Sequence, residues 1–168
     1  YNAPSRFQLC PASQPANLES RLLERGYQRV PGALVQTLDL ETFPSKEQPL
    51  SVSLFDTPNP DWFSVYRAVE KATPEKEKVR TWMLEHIAPQ AAFALLYIDS
   101  QPAAVGLGVI EAGYMGIFNM ATHEHFRGRG SANTILSALA TWAKQQQAHT
   151  CYLQVANENH KAQRLYQK

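Results

Sequence analysis

Two periods alternate along the chain. Between Pro15 and Arg25, Leu18, Leu22 and Leu23 fall on one side at helical spacing, and Gly26 is placed to end the run, so a helix is predicted there. Val30 to Leu40 reads as a strand. From Glu41 to Pro60, Pro, Ser and Asp surround a short apolar stretch, Leu50 to Phe55, which predicts a connecting segment with at most one strand. Asp61 to Ala72 and Thr73 to Ile87 read as two helices: Asp61 or Asn59 would cap the first, and Thr73 before Pro74 would start the second.

The second half has a clearer pattern. Phe93 to Ile98 and Ala103 to Ile110 are apolar runs split by Asp99-Ser100-Gln101-Pro102, a hairpin signal, and Tyr114 to Ala121 is a third strand. Beyond Arg127 to Gly130 the period changes. Ala132, Ile135, Leu136, Leu139 and Ala143 mark one face of a helix reaching about Gln147. Cys151 to Val155 forms a fourth strand, and Asn159 opens a last helix with Ala162, Leu165 and Tyr166 at helical spacing.

Composition narrows the class. A chain of 168 residues, 44% hydrophobic and 18% charged with net charge +1, fits a packed domain and excludes a disordered chain, a coiled coil or a strongly cationic nucleic-acid binder. All 11 prolines lie at or before Pro102, whereas 6 of the 8 glycines fall between Gly106 and Gly130. Charge divides at the same place: residues 1–102 carry 10 Lys/Arg and 12 Asp/Glu, net −2, and residues 103–168 carry 6 and 3, net +3. Cys10 and Cys151 match no metal-ligand spacing, and buried, reduced thiols are expected ahead of a disulfide. The longest apolar run, Ala91 to Ile98, is eight residues, against roughly 20 for a membrane span; no membrane association and a cytoplasmic location are expected.

The segment Phe126-Arg127-Gly128-Arg129-Gly130-Ser131-Ala132 sits where a strand gives way to a helix. The first N–H groups of a helix lack intrahelical acceptors and lie at the positive end of its dipole. Glycines there let backbone amides approach phosphate oxygens, and Arg127 and Arg129 add positive charge. Such a string is also compatible with a plain tight turn carrying solvated arginines. It lacks the Gly-Lys-Ser/Thr ending of a P-loop and the G-x-G-x-x-G of a dinucleotide fold, and it follows several consecutive strands.

In that order of elements the sequence resembles the GNAT superfamily of acyl-CoA-dependent N-acetyltransferases, over about residues 93–168. The family's Arg/Gln-x-x-Gly-x-Gly/Ala motif is matched by Arg127, Gly130 and Ala132, and Asn159-x-x-Ala162-x-x-Leu165-Tyr166, 27 residues beyond Ala132, is similar to its N-x-x-A-x-x-L-Y helix. The resemblance implies an α/β (α+β) fold: a mixed, mostly antiparallel sheet flanked by helices, with a splayed parallel strand pair at the cofactor site. It implies acetyl-CoA as acyl donor, its pyrophosphate held by the amides of Arg127, Gly128, Arg129, Gly130, Ser131 and Ala132. Its pantetheine arm would pair with Met120, Ala121 and Thr122 and be bonded by Asn159. Tyr166 would protonate the departing thiolate; read without the family, a packed amphipathic tyrosine is the plainer reading.

A free amine attacking the thioester needs a backbone N–H for the developing oxyanion and an acid for the sulfur. No covalent enzyme intermediate is needed. For the base, Glu111 and Glu124 are the only acidic residues from 103 to 157. Glu111 is the stronger candidate, acting through water; an exposed carboxylate is the plainer reading of both. His123 and His125 read as solvated loop, with no third ligand spaced for a metal. Asn119 and Tyr114 are candidates to line the acceptor side.

The acceptor is expected to be a small-molecule or peptide amine, with no nucleic acid, and the chain a monomer or homodimer. A non-catalytic CoA-binding module is the alternative. Family members continue past the L-Y helix with Leu-Gly-Phe and two strands, which this sequence does not show. Truncation or disorder is one explanation; the other is that Leu22-Leu23-Glu24-Arg25-Gly26-Tyr27, followed by Val30 to Leu40, resembles that stretch of the family. On the second explanation, residues 1–90 are a partial, degenerate GNAT-like module helping to complete the sheet or the pocket of a core at 91–168. Otherwise they form a helical cap with Trp62, Phe63, Tyr66 and Trp82 as core aromatics.

Overall fold

The structure, a computed structural model, describes residues 5–43, 52–160, 162 and 163. Six strands form one sheet: β1 (Ala33–Asp39), β2 (Val52–Phe55), β3 (Gln90–Ile98), β4 (Gln101–Glu111), β5 (Tyr114–Thr122) and β6 (Thr150–Ala156), in the order β1-β6-β5-β4-β3-β2. Every pairing is antiparallel except β5 with β6. The helices are α1 (Leu18–Glu24), α2 (Pro60–Val69), α3 (Pro74–Glu85) and α4 (Ser131–Gln145). The mixed, mostly antiparallel architecture expected from the sequence is the one observed.

Local chemistry explains the boundaries. Asn59 accepts a hydrogen bond from the Trp62 N–H (2.8 Å) and Thr73 one from the Lys76 N–H (3.5 Å); each cap is followed by proline, whose fixed φ suits a first helical turn. The β3–β4 hairpin turns on Asp99 and Ser100, both at positive φ, the geometry whose twist matches two antiparallel strands.

Strand alternation divides the core into two layers. On one face Ala92, Ala94, Leu96, Ala104, Met115, Ile117, Cys151, Leu153 and Val155 meet Ile135, Leu136, Leu139, Ala140 and Ala143 of α4. On the other, Phe93, Leu95, Val105, Leu107 and Ala121 meet Trp62, Phe63, Val65 and Tyr66 of α2 and Leu84 of α3. Gly106 and Gly108 sit under α4: a Cβ at Gly106 would come within 2.6 Å of both Ile135 Cγ2 and Met120 Sδ. Those glycines set how closely α4 lies on the sheet.

Both edge strands come from the first 90 residues, so the sheet runs across the position where the sequence suggested a boundary. β1 pairs with β6 over seven rungs, Ala33 opposite Ala156 to Asp39 opposite Thr150. Three expectations change. Trp82 is 60% exposed and stacks on His86 rather than entering the core. Leu23 is half exposed and α1 buries no residue. Cys10 is exposed, its thiol pulled below the ordinary value chiefly by a hydrogen bond with Ser13, while burial pushes the Cys151 thiol up. Both are free.

The close approach at Gly106 yields a first prediction. Gly106→Ala should destabilise the fold by about 1–3 kcal/mol, through overpacking against Ile135 and Met120. Urea unfolding measures this, and a midpoint equal to the parent's would show that α4 does not rest on that glycine.

Candidate functional site

The site grows from an irregularity in β5. Val105 pairs with Ala121 and Leu107 with Phe118, so one residue of β4, Gly106, faces two of β5, Asn119 and Met120. That is a bulge, and Asn119 takes the left-handed conformation it requires (φ 49°). Ile117 and Met120 both join the α4 layer and Ala121 joins the α2 layer, a sequence of faces that an unbroken strand could not produce. From α2, the buried Trp62 indole donates to the Gly106 carbonyl at 3.3 Å, on the β4 side of the bulge.

The parallel pairing of β5 with β6 runs only from Tyr114 opposite Thr150 to Ile117 opposite Leu153. Beyond that rung β5 bulges away, and the last residues of the two strands have no register with one another. The result is a fork that opens toward the C-terminal ends of two parallel strands, where loops of an α/β sheet gather to bind ligands.

At the mouth of that fork stands the start of α4. Gly128 (φ 78°) and Gly130 (φ 79°) are left-handed, and Gly130 is the N-cap, with no side-chain hydrogen bond. A Cβ at either would meet nothing within 4 Å. The glycines are thus required by backbone conformation, and the space in front of them is open. Among the described residues, no backbone amide from Gly128 to Asn133 has a hydrogen-bond acceptor, which leaves a row of donors at the positive end of a 15-residue helix. Ser131 is buried and its hydroxyl donates to the Phe126 carbonyl (3.3 Å). Arg127 Nε donates to the Thr122 carbonyl (3.2 Å), tying the loop to the end of β5, and the Arg129 guanidinium lies 5.5 Å from the Phe126 ring centre. Both arginines thus contact the segment that leads into the loop.

Met120, Ala121, Thr122, the loop from Arg127 to Ala132, and Asn159 thus converge at one end of the sheet. Asn159 Oδ1 accepts from the Ala162 N–H (3.1 Å) and its carbonyl from the Gln163 N–H (3.0 Å), the opening of a helical turn. Tyr166 and Leu165 lie outside the described residues, as does Leu50. Glu111 is not brought to the fork. It pairs with Tyr114 at the opposite end of the sheet, four residues of strand, about 13 Å, from Phe118. Glu124 is exposed beside His125 (3.7 Å), and the His123 ring packs near His125 and Phe126. Among the described residues no group of three or more His, Cys, Asp or Glu could hold a metal, and no helix is long and apolar enough to cross a membrane.

Sequence reasoning missed two features of the site. The bulge carries no compositional mark beyond an asparagine, a residue that tolerates positive φ. The open face beyond α2, with Phe118 and Tyr152 edge to face over Gly116, needs the pairing of β5 with β6 to be known.

A forked parallel pair running into a glycine-opened helix is the architecture of an acyltransferase of the GNAT type, and comparison with known proteins agrees. The family model described as the acetyltransferase (GNAT) family matches residues 52–168. The chain belongs to that family. It is 27% identical, over 98% of its own length and 68% of the relative's, to the uncharacterized N-acetyltransferase YobR of Bacillus subtilis (strain 168). Among solved structures it resembles a tandem GNAT protein from the clavulanic acid biosynthesis pathway (TM-score 0.70, 15% identity), covering 95% of this chain and 57% of that one. A Bacillus subtilis acetyltransferase in complex with CoA also matches (TM-score 0.56, 19% identity), over 70% of this chain and 73% of that one.

The left-handed cap generates a prediction of its own. Gly130→Ala should cost about 1 kcal/mol of folding stability through backbone strain alone, since no neighbour is there to clash. Denaturant unfolding measures it, and an unchanged midpoint would contradict the cap's conformation.

Proposed function

We propose that the chain transfers an acetyl group from acetyl-CoA to a primary amine by direct attack. The observation that carries this reading is the alignment of the β5–β6 fork with the open amides of residues 128–133: one site offers strand edges to an amide-bearing arm and helix-end donors to a diphosphate. A CoA group seated there would be held by the amides of Gly128 to Ala132 at its pyrophosphate, the Arg127 N–H being already spent on the Glu124 carbonyl (3.3 Å), and by the edge of Met120 to Thr122 along its pantetheine, with Asn159 beside it. The bound thioester supplies the electrophilic carbonyl.

The chain's own groups do the rest. Asn119 and Met120 have no register partner on β4, and a backbone N–H at this bulge would stabilise the oxyanion formed on attack. Collapse of the tetrahedral adduct breaks the C–S bond, and Tyr166 gives its proton to the leaving sulfur. The amine must shed its proton first. Glu111 lies on the same open face but too far along the strand for direct transfer, so its part in this step would be through water.

The first half completes the site. We read α1, Gly26-Tyr27 and β1 as a degenerate GNAT-like stretch that closes the sheet beside β6, a reading supported by the antiparallel β1–β6 ladder and by the likeness of the chain to a tandem GNAT protein over 95% of its length. The location, by this reading, is cytoplasmic, and the acceptor is a small molecule or a peptide amine.

Two variants test the assignment. Gly130→Glu, placing bulk and negative charge where the pyrophosphate would rest, should abolish the heat of acetyl-CoA binding in calorimetry; undiminished binding would remove the loop from the site. Tyr166→Phe should lower turnover by roughly 10- to 100-fold while acetyl-CoA affinity is kept. Equal turnover in that variant would refute the acid role.

A further inference from the structure

Among the described residues, the face of the sheet opposite α4 is covered by α2 and α3 over β3, β4 and the Ala121 end of β5, whereas Tyr114 and Phe118 of β5 and the same face of β6 and β1 stay open. Register gives its rows. Thr37, Tyr152 and Gly116 stand side by side; one step up toward the fork Val35 faces Gln154, and Phe118 stands just past the last shared rung of β5; one step down are Asp39, Thr150, Tyr114 and Glu111. Phe118 follows the last paired rung of β5, and Tyr152 precedes the last paired rung of β6, so these two side chains straddle the point where the strands part.

Their arrangement is built. The two rings lie 6.3 Å apart at 90°, edge to face, a preferred aromatic geometry. They lie over Gly116, where a Cβ would come within 2.5 and 2.7 Å of Phe118 ring carbons and 2.9 Å of the Tyr152 hydroxyl. Glycine at 116 is therefore what lets both rings fold down across β5. Phe118 remains 39% exposed, an aromatic surface at the vertex of the fork rather than a buried plug.

The surroundings carry little charge. In the rows at and above the rings stand Thr37, Val35 and Gln154, with Gln8 of the N-terminal segment reaching Gln154 at 3.5 Å. The carboxylates on the open strands of this face are one row below, where Asp39 Oδ1 already accepts from the Glu41 N–H at 2.8 Å, and on α2 the Asp61 carboxylate accepts from the Tyr97 hydroxyl at 2.7 Å. A polyamine or a lysine-rich segment would find no carboxylate at the rings among the described residues, whereas an apolar, flat group would bury area against them.

Building on the acyl-transfer reading above, we propose that Phe118 and Tyr152 determine acceptor specificity: they form the platform for an amine carried on an aromatic body, directing its nitrogen to the fork. The shared chemistry is a single primary amine one or two carbons from an aromatic ring, whether in a free arylalkylamine or at the N-terminus of a peptide beginning with an aromatic residue. Gly116, beneath the rings, is a positioning residue.

The test is steady-state transfer from acetyl-CoA to 2-phenylethylamine, to a Phe-initiated dipeptide amide, to n-butylamine and to spermidine. An aromatic amine should exceed butylamine and spermidine in kcat/KM by about tenfold or more, and the two aromatic acceptors tell the free amine from the peptide source. Phe118→Ala should erase that preference by raising KM for the aromatic amine alone, with KM for acetyl-CoA within about twofold of the parent. Gly116→Ala should reduce the preference by displacing the rings, and Tyr152→Phe should keep it. Preference for spermidine, or an equal loss on every amine in Phe118→Ala, overturns the proposal while leaving acyl transfer intact. Turnover on none of the four, with acetyl-CoA bound, overturns this proposal and the transfer reading together.

Discussion

The bulge in β5 is the constraint from which the site follows. A parallel pair has no reason to part while its hydrogen bonds can continue, since each lost rung leaves backbone groups unpaired. Two residues set against Gly106 supply that reason. They bend β5 away from β6 directly after Ile117 and turn Met120 into the α4 layer. Trp62, fully buried, donates its indole proton to the Gly106 carbonyl and so anchors α2 beside the same irregularity. One register defect thereby connects the α4 layer, the α2 layer and the cleft between two strands.

The helix that follows carries the other half of the chemistry. α4 lies on Gly106 and Gly108 closely enough that a methyl group would disturb it, so the direction of its axis, and with it the position of its N-terminal amides, is fixed by the sheet. Arg127 then ties the loop back to Thr122 at the end of β5. The donors at residues 128–133 are held at the mouth of the fork by packing and by this latch, and the two left-handed glycines aim them outward without contributing bulk.

Much of this was legible in the sequence because it is local. The proline-free, glycine-rich stretch after Pro102 holds three of the strands and the opening of α4, and Asn59, Thr73 and the change of period at Gly130 mark helix starts within about two residues. What was not legible is non-local or conformational. Leu22 and Leu23 have helical spacing, yet α1 buries no residue. Trp82, an aromatic on a helix, stays exposed because α3 sends Leu84 inward instead. Val30 to Leu40 reads as a strand, but nothing in the sequence names β6, more than 100 positions away, as its partner, and the left-handed turn at Asn119 has no signature that separates it from any other asparagine in a strand. Glu111 illustrates the same limit. Its place at a strand end is readable, but which end of the sheet that is depends on the register.

Backbone amide chemical shifts recorded during titration with acetyl-CoA test the central claim most directly, because they report where the ligand sits residue by residue. The largest changes are expected at Met120–Thr122, at Gly128–Asn133 and at Asn159, with α3 and β2 nearly still. Saturable binding that moves other amides while the start of α4 and the end of β5 stay unchanged would contradict it.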